Sequence, residues 1–287
     1  MNARVTSDIA FFPAAGGDIT THDPVVQDLR EVQPTESVRD VRAVTLSDAR
    51  GGDHSLDTSG FELVSAPTQV TDFNDHEEVM RVYYQECIEL AKQITGASHA
   101  FTYDHLIREP GRQITGGGLD GVPVATGAEA GGGYINFAHM DYTDNTTWAK
   151  YLGVHNEVLP DVPGKVVNLN FWRGLSDVVD DFPLGVCDAR TVEPQDLFET
   201  VIYGYGAPNY SWYNIGIDTF SVKYSDRHRW YYYPRMAPDE VLVIKTYDSD
   251  GVIGRCCPHG AFPNPQADPA SPARRSVELR VVCFGAS

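Results

Sequence analysis

From residue 100 onward the chain is a succession of short runs with strand character, separated by Gly, Pro and Asp. The runs cover 100–103, 134–138, 166–172, 183–187, 230–233, 241–247 and 277–284. Many short strands punctuated in this way restrict the chain to an antiparallel sandwich or barrel. One strong helix precedes them, from a cap at Asn74 or Asp75 to Ile94. Met80, Tyr83 or Tyr84, Cys87, Ala91 and Ile94 recur at helical spacing, and Gly96 stands where a C-terminal glycine belongs. The expectation is a mainly β protein with flanking helices, built on a double-stranded β-helix (jelly roll) core. Residues 196–202 are expected to add a helical turn.

Residues 1–60 are polar and broken by Gly, Pro and Asp, with one plausible strand at 41–46. Too thin in apolar residues for a core of their own, they read as an N-terminal arm packed on the core. Residues 61–287 then form the jelly-roll domain, opening on a short strand at 61–64. The formal charge of −18 makes nucleic acid and anionic membrane surfaces poor partners. Signal peptide and transmembrane patterns are absent, which favours the cytoplasm. Cys87, Cys187, Cys256, Cys257 and Cys283 lack C-x-x-C spacing and read as reduced, largely buried thiols. The glycine-rich segment 116–121 lacks the Gly-Lys-Ser/Thr ending of a phosphate loop and reads as a mobile loop or lid, or as a plain surface loop.

The stretch 131–145 reads as a glycine-rich loop, a short strand, and then His139-x-Asp141 at the strand's exit. In an extended chain residues i and i+2 point the same way, so an imidazole nitrogen and a carboxylate oxygen can meet at one point. One further histidine would complete a facial 2-His-1-carboxylate site for iron(II), with open positions for co-substrate and O2. Alone the motif is weak, since nine histidines in 287 residues produce about one accidental match. His228 and His259 are the realistic third ligands. Fifteen residues after His259 stands Arg274-x-Ser276, which opens the last strand. An inward-facing Arg-x-Ser pair can take the far carboxylate of a dicarboxylate through a bidentate guanidinium and a hydroxyl. Ser276, Glu278 and Arg280 share that face, and Arg280 either competes for the anion or pairs with Glu278 or Glu240. Asn170 is placed to donate to a bound carboxylate, the alternative being a structural amide ladder with Asn168. Arg173, His228 and Tyr232, the last within the aromatic run 230–233, are candidate substrate contacts, with core packing or a surface position as the competing reading. Tyr203, Tyr205, Tyr210, Trp212 and Tyr213 divide between pocket lining and sheet packing. His99, His105 and His155 read as structural or surface residues.

Taken in order, a series of motifs resembles a known family. They are Glu86, Leu90, Lys92 and Thr95-Gly-Ala97 on the helix, then Phe101-x-x-Asp-His105-x-x-Arg108, His139-Met-Asp-Tyr-Thr143, Asn170-Phe-Trp-Arg173 and Pro183-Leu-Gly-Val-Cys-Asp188. His228-Arg-Trp-Tyr-Tyr232, Asp239-Glu-Val-Leu242, Lys245-Thr-Tyr-Asp-Ser249, Pro258-His-Gly-Ala-Phe262 and Arg274-Arg-Ser-Val-Glu-Leu-Arg280 complete it. From about residue 40 onward the chain resembles the CmcJ/AsaB-type family, which includes a cephem methoxylase component, fungal hydroxylase/desaturases and an aziridine-forming enzyme. The resemblance implies an Fe(II)/2-oxoglutarate-dependent dioxygenase that hydroxylates, desaturates or cyclises a small molecule in natural-product biosynthesis. It implies His139, Asp141 and His259 as iron ligands and Arg274 with Ser276 for 2-oxoglutarate, with Arg280 in competition. The chain departs from the pattern at Gly174, where Pro is expected, and at Gly260, where Thr is expected; both changes are expected to enlarge or loosen the pocket. Two other readings remain open from the residues: a jelly-roll ligand-binding protein without redox chemistry, and an iron oxidase that does not use 2-oxoglutarate.

Overall fold

The computed structural model describes residues 4–12, 25–28, 40–109, 115–118, 123–125, 134–146, 148, 161–162, 164–203, 214–250 and 256–286. The glycines at 131–133, residues 119–121, His155 and the aromatic residues Tyr205, Tyr210, Trp212 and Tyr213 lie outside them. In chain order the strands are β1 (Arg4–Phe11), β2 (Val25–Asp28), β3 (Asp40–Asp48), β4 (Phe61–Ser65), β5 (His99–Arg108), β6 (Thr115–Gly118), β7 (Pro123–Ala125) and β8 (His139–Met140). They continue as β9 (Lys165–Gly174), β10 (Leu184–Cys187), β11 (Leu197–Tyr203), β12 (Ile217–Val222), β13 (Trp230–Tyr232), β14 (Glu240–Asp248), β15 (His259–Ala261) and β16 (Ser276–Ala286). Among the described residues they form two sheets, ordered β1-β3-β13-β10-β15-β8-β12-β11-β2 and β4-β14-β9-β16-β5-β6-β7. This is the mainly β, jelly-roll architecture that the spacing of the apolar runs predicts.

The helix starts and stops where the sequence places it. Asp75 accepts from the backbone N–H groups of Glu77 and Glu78, and Gly96 closes the end at φ 67°. Between these caps α1 (His76–Glu78) passes through a π-helical turn (Val79–Tyr83) into α2 (Tyr84–Thr95). Its buried Tyr83, Tyr84, Cys87 and Ala91 pack on one face of the second sheet, against Phe171, Val243, Val277, Leu279 and Val281. Alternation along β16 therefore sends Ser276, Glu278 and Arg280 to the opposite face, toward the first sheet. The sheets meet there through Trp172, Leu242 and Ile244 on one side and Leu184 and Val186 on the other.

The first sheet curls until it meets itself. Ala10 bridges Phe137 and Phe12 bridges Lys223, which brings β1 against the chain leading into β8. Val5, Ile9, Phe11, Val44 and Leu46 then fill a core with Met140, Val222, Trp230, Tyr232 and Phe262. The N-terminal segment thus supplies strands: β1 pairs with β3 over Arg4–Phe11, and β3 lies parallel to β13.

Two local expectations need correction. Of residues 196–202, expected to form a helical turn, only Asp196 does so, ending a 3-10 turn, Pro194–Asp196, with a Glu193–Asp196 capping box; residues 197–202 lie in strand β11. The β-branched Thr200, Val201 and Ile202 suit the pleated pairing with β12 better than a helix. The glycines at 174 and 260 do not open space either. A Cβ at Gly174 would clash with Val179 Cγ2, and one at Gly260 would meet the Phe137 carbonyl oxygen at 2.8 Å. Both positions are filled by close neighbours, so glycine there permits tight packing.

Candidate metal centre and co-substrate anchor

His139 and His259 face each other as direct partners in the β8–β15 ladder, their ring centroids 4.5 Å apart. Pairing of this kind puts both imidazoles on the same side of the sheet. The strand ends as the chain leaves β8: Tyr142 takes φ 66°, a conformation rare for a non-glycine residue. Asp141, just before this bend, still points with His139. The three offer ligand atoms that all lie within 4.8 Å of one another, and the His259 Nε2 to Asp141 Oδ2 distance is 3.8 Å. His228 belongs to no such group among the described residues, so the structure brings together the triad with His259.

Each candidate ligand is oriented from behind. His139 Nδ1 lies 3.0 Å from the Phe137 carbonyl oxygen, and His259 Nδ1 lies 3.1 Å from that of Cys257. Donation from Nδ1–H to a carbonyl leaves each Nε2 as the free lone pair, the tautomer a metal requires. Asn170 Nδ2 donates to Asp141 Oδ2 at 2.6 Å. Burial and the neighbouring His259 push His139 down to about 4, so the imidazole is neutral and ready to ligate at neutral pH. Burial alone would raise Asp141, but Arg280, His259 and His139 outweigh it and hold the carboxyl below its usual range. Two imidazoles and a carboxylate form the donor set of a facial site for a divalent first-row metal such as iron(II).

The second cluster lies at the start of β16. Arg274 is 1% exposed, with its guanidinium over the Tyr134 ring at 3.9 Å. One Arg274 Nη1 hydrogen bond goes to the Phe182 carbonyl at 2.6 Å, and Tyr134 Oη donates back to the Arg274 carbonyl. Among the described residues, Arg274 Nε and Ser276 Oγ are buried without a hydrogen-bond partner, as is Asn170 Oδ1. Burial pushes the guanidinium down to about 9, a measure of how little charge compensation its surroundings give. Two unpartnered donors at an i, i+2 spacing where the chain enters β16 fit a carboxylate that approaches them. Tyr134, whose ring supports Arg274, was not singled out by sequence reasoning; only its place in the stretch 131–145 marked it. Arg280 differs from Arg274: its Nη2 bonds Glu278 Oε1 at 2.5 Å, and Glu240 pairs with Arg50 instead.

The remaining candidates lie elsewhere. Arg173 points to the helix side, where it donates to Tyr83 Oη, to the Pro238 carbonyl and to the Ala66 carbonyl. That corrects its expected place at the substrate. Tyr232 packs edge-on against Phe262 in the core of the curled first sheet, on the face away from His259. His228 is buried and bonds Asp196 through Nε2 at 3.2 Å. His105 is fully buried, between Tyr84 Oη at 3.0 Å and His76 Nδ1 at 3.1 Å, in keeping with a structural role. All five cysteines are free thiols, four of them buried.

A cavity of about 530 Å³ is lined by Met140, Tyr142, Thr143, Leu197, Phe220 and Tyr247, and by none of the three residues of the triad. Among the described residues no helix is long and apolar enough to cross a membrane.

The chain matches the family model described as an oxidoreductase/YMDC permease-like domain over residues 15–284. It is 32% identical over 278 residues to the hydroxylase/desaturase EfuI of Hormonema carpetanum, covering 88% of this chain and 87% of that protein. It is 27% identical over 254 residues to the Fe(II)/2-oxoglutarate-dependent dioxygenase NvfI of Aspergillus novofumigatus, covering 84% of this chain and 83% of that one. A shorter match, 41% over 125 residues, reaches the hydroxylase/desaturase AsaB of Aspergillus flavus. A solved structure of the iron and alpha-ketoglutarate-dependent endoperoxidase NvfI superimposes with a TM-score of 0.76 at 23% identity, over 99% of both chains, which establishes the shared fold. The chain therefore belongs to the hydroxylase/desaturase family of non-haem Fe(II)/2-oxoglutarate-dependent oxygenases.

Proposed function

We propose that His139, Asp141 and His259 hold iron(II), that Arg274 and Ser276 take the distal carboxylate of 2-oxoglutarate, and that the protein oxidises a small molecule in a biosynthetic pathway. The observation that carries this reading is the convergence of three oriented ligand atoms within 4.8 Å of one another. The bound iron supplies the activation of O2 that allows a C–H bond to be broken; hydroxylation, desaturation and oxidative cyclisation all begin from that event. The chain's own residues do the rest. Phe137 and Cys257 carbonyls fix the imidazole tautomers, and the buried guanidinium of Arg274 gives a planar fork that matches a carboxylate. The unpaired thiols fit a reducing compartment such as the cytoplasm.

Kinship with hydroxylases and desaturases favours an enzyme over a plain ligand-binding jelly roll. The unpartnered Arg274 Nε and Ser276 Oγ favour a 2-oxoglutarate enzyme over an oxidase that does without it. Anaerobic reconstitution tests both points. Purified protein should bind one iron(II) per chain and develop a visible charge-transfer band with 2-oxoglutarate, and Asp141→Ala should lose the metal, the band and succinate formation. An Asp141→Ala variant with undiminished iron binding would refute the site.

A further inference from the structure

The floor beneath the proposed metal centre carries three polar side chains of the second sheet that face the first. Asn170 on β9 and Arg280 on β16 are direct partners across the ladder, so their side chains stand next to each other. Glu278, two residues before Arg280, shares that face and accepts from Arg280 Nη2. All three residues are at least nine-tenths buried. Above them Asn170 Nδ2 reaches Asp141 Oδ2 at 2.6 Å, the same oxygen that lies 3.8 Å from His259 Nε2. Its donor is thus spent on the oxygen turned toward the other ligands, not on an empty part of the pocket.

Resting on the metal reading of the triad, we infer that Asn170 is a positioning residue for the ligand Asp141, braced by the Arg280–Glu278 pair, and that Arg280 therefore serves the metal ligand and not the 2-oxoglutarate carboxylate. A free carboxylate rotates about its Cβ–Cγ bond. A short hydrogen bond from a side chain fixed in a central strand stops that rotation and keeps the oxygen in the same place before and after metal binding. Glu278 fixes Arg280 in turn: burial alone would raise its carboxyl, but Arg280 and Arg108 overcome that and keep it ionised. The division of labour on β16 is then spatial. Arg274 and Ser276 at its start keep unpartnered donors, whereas the Arg280 guanidinium is engaged by Glu278 and lies opposite Asn170.

The test uses the purified protein with Mn(II) as a spectroscopic stand-in for iron(II), titrated by EPR, and 2-oxoglutarate titrated at saturating metal. Wild type should bind one Mn(II). Asn170→Ala should weaken Mn(II) binding 10- to 100-fold, the loss typical of removing the group that orients a metal ligand, with 2-oxoglutarate affinity changed less than threefold. The double variant Glu278→Gln/Arg280→Gln removes both charges while keeping a polar side chain at each position. It should shift Mn(II) in the same direction and leave 2-oxoglutarate affinity intact, and it carries the test if Asn170→Ala does not fold. A tenfold loss of 2-oxoglutarate affinity with unchanged Mn(II) binding, in either variant, would assign that residue to the co-substrate and overturn the inference. So would unchanged binding of both ligands. Failure of wild type to bind Mn(II) or iron(II) at all would instead overturn the metal reading on which the inference rests.

Discussion

Gly260 offers the most direct perturbation of the proposed metal centre that touches none of its proposed ligands. It lies next to His259 on β15, and an added Cβ would sit 2.8 Å from the Phe137 carbonyl oxygen and 3.2 Å from its carbon. An ordinary contact needs about 3.4 Å, so Gly260→Ala must open the gap by roughly half an ångström. Neither side yields easily. Ala261 N bonds Ile135 O at 2.7 Å on one flank, and His259 pairs directly with His139 on the other. Overpacking between two strand backbones costs about 1–3 kcal/mol. The displaced atom is also the oxygen that holds His139 Nδ1 at 3.0 Å. Moving it rotates one imidazole relative to the other, so metal affinity should fall about tenfold in a protein that still folds. Urea denaturation and Mn(II) EPR titration measure the two effects separately. Gly260→Ala with a urea midpoint equal to wild type and a Mn(II) affinity within twofold of it would show that the two strands have slack, and the steric reasoning would be wrong.

Other expected outcomes concern the anchor and the buried histidines. Arg274→Ala should raise the 2-oxoglutarate concentration needed for half-maximal succinate formation by about 30- to 150-fold, roughly 2–3 kcal/mol for a charge-assisted bidentate contact, and Arg274→Lys should recover only part of it; a full rescue by lysine would mean that charge alone suffices. Burial and His76 push His105 down to about 3, against 6.5 for an ordinary histidine. Between these values the unfolded chain binds the extra proton and the folded one does not, so stability falls as pH drops below about 6.5, by roughly 2–3 kcal/mol at pH 4.5. Comparing urea midpoints at pH 7 and 4.5 for wild type and His105→Gln checks this, since the variant should lack that part of the pH dependence. His228→Ala should lower stability by about 1–2 kcal/mol while leaving succinate formation coupled to substrate oxidation, because Asp196 keeps its bonds to Arg227; uncoupled turnover would instead tie His228 to the substrate.

Local patterns carried much of this protein in its sequence. Asp75 and Gly96 cap a helix because a side-chain acceptor and a residue free to adopt φ 67° are local requirements, legible without any partner. Period-two alternation on β16 sorted Ser276, Glu278 and Arg280 from Val277, Leu279 and Val281, and His139-x-Asp141 put two ligand atoms on one side of a strand. Only the tertiary structure decided what depends on distant chain segments. His259 rather than His228 meets the pair, since β15 and not β13 lies beside β8 in the sheet. Arg173 turns to the helix, an outcome fixed by which face of β9 packs on Tyr83. Gly260 is filled by a carbonyl from residue 137, invisible along the chain. Residues 1–60 are too thin in apolar residues for a core of their own, and it is the tertiary structure that gives β1 and β3 their places in the curled sheet, where Met140, Trp230 and Phe262 supply the other half of the core. A pattern within one segment shows which way side chains point; which partner stands there is set by the pairing of strands far apart in sequence.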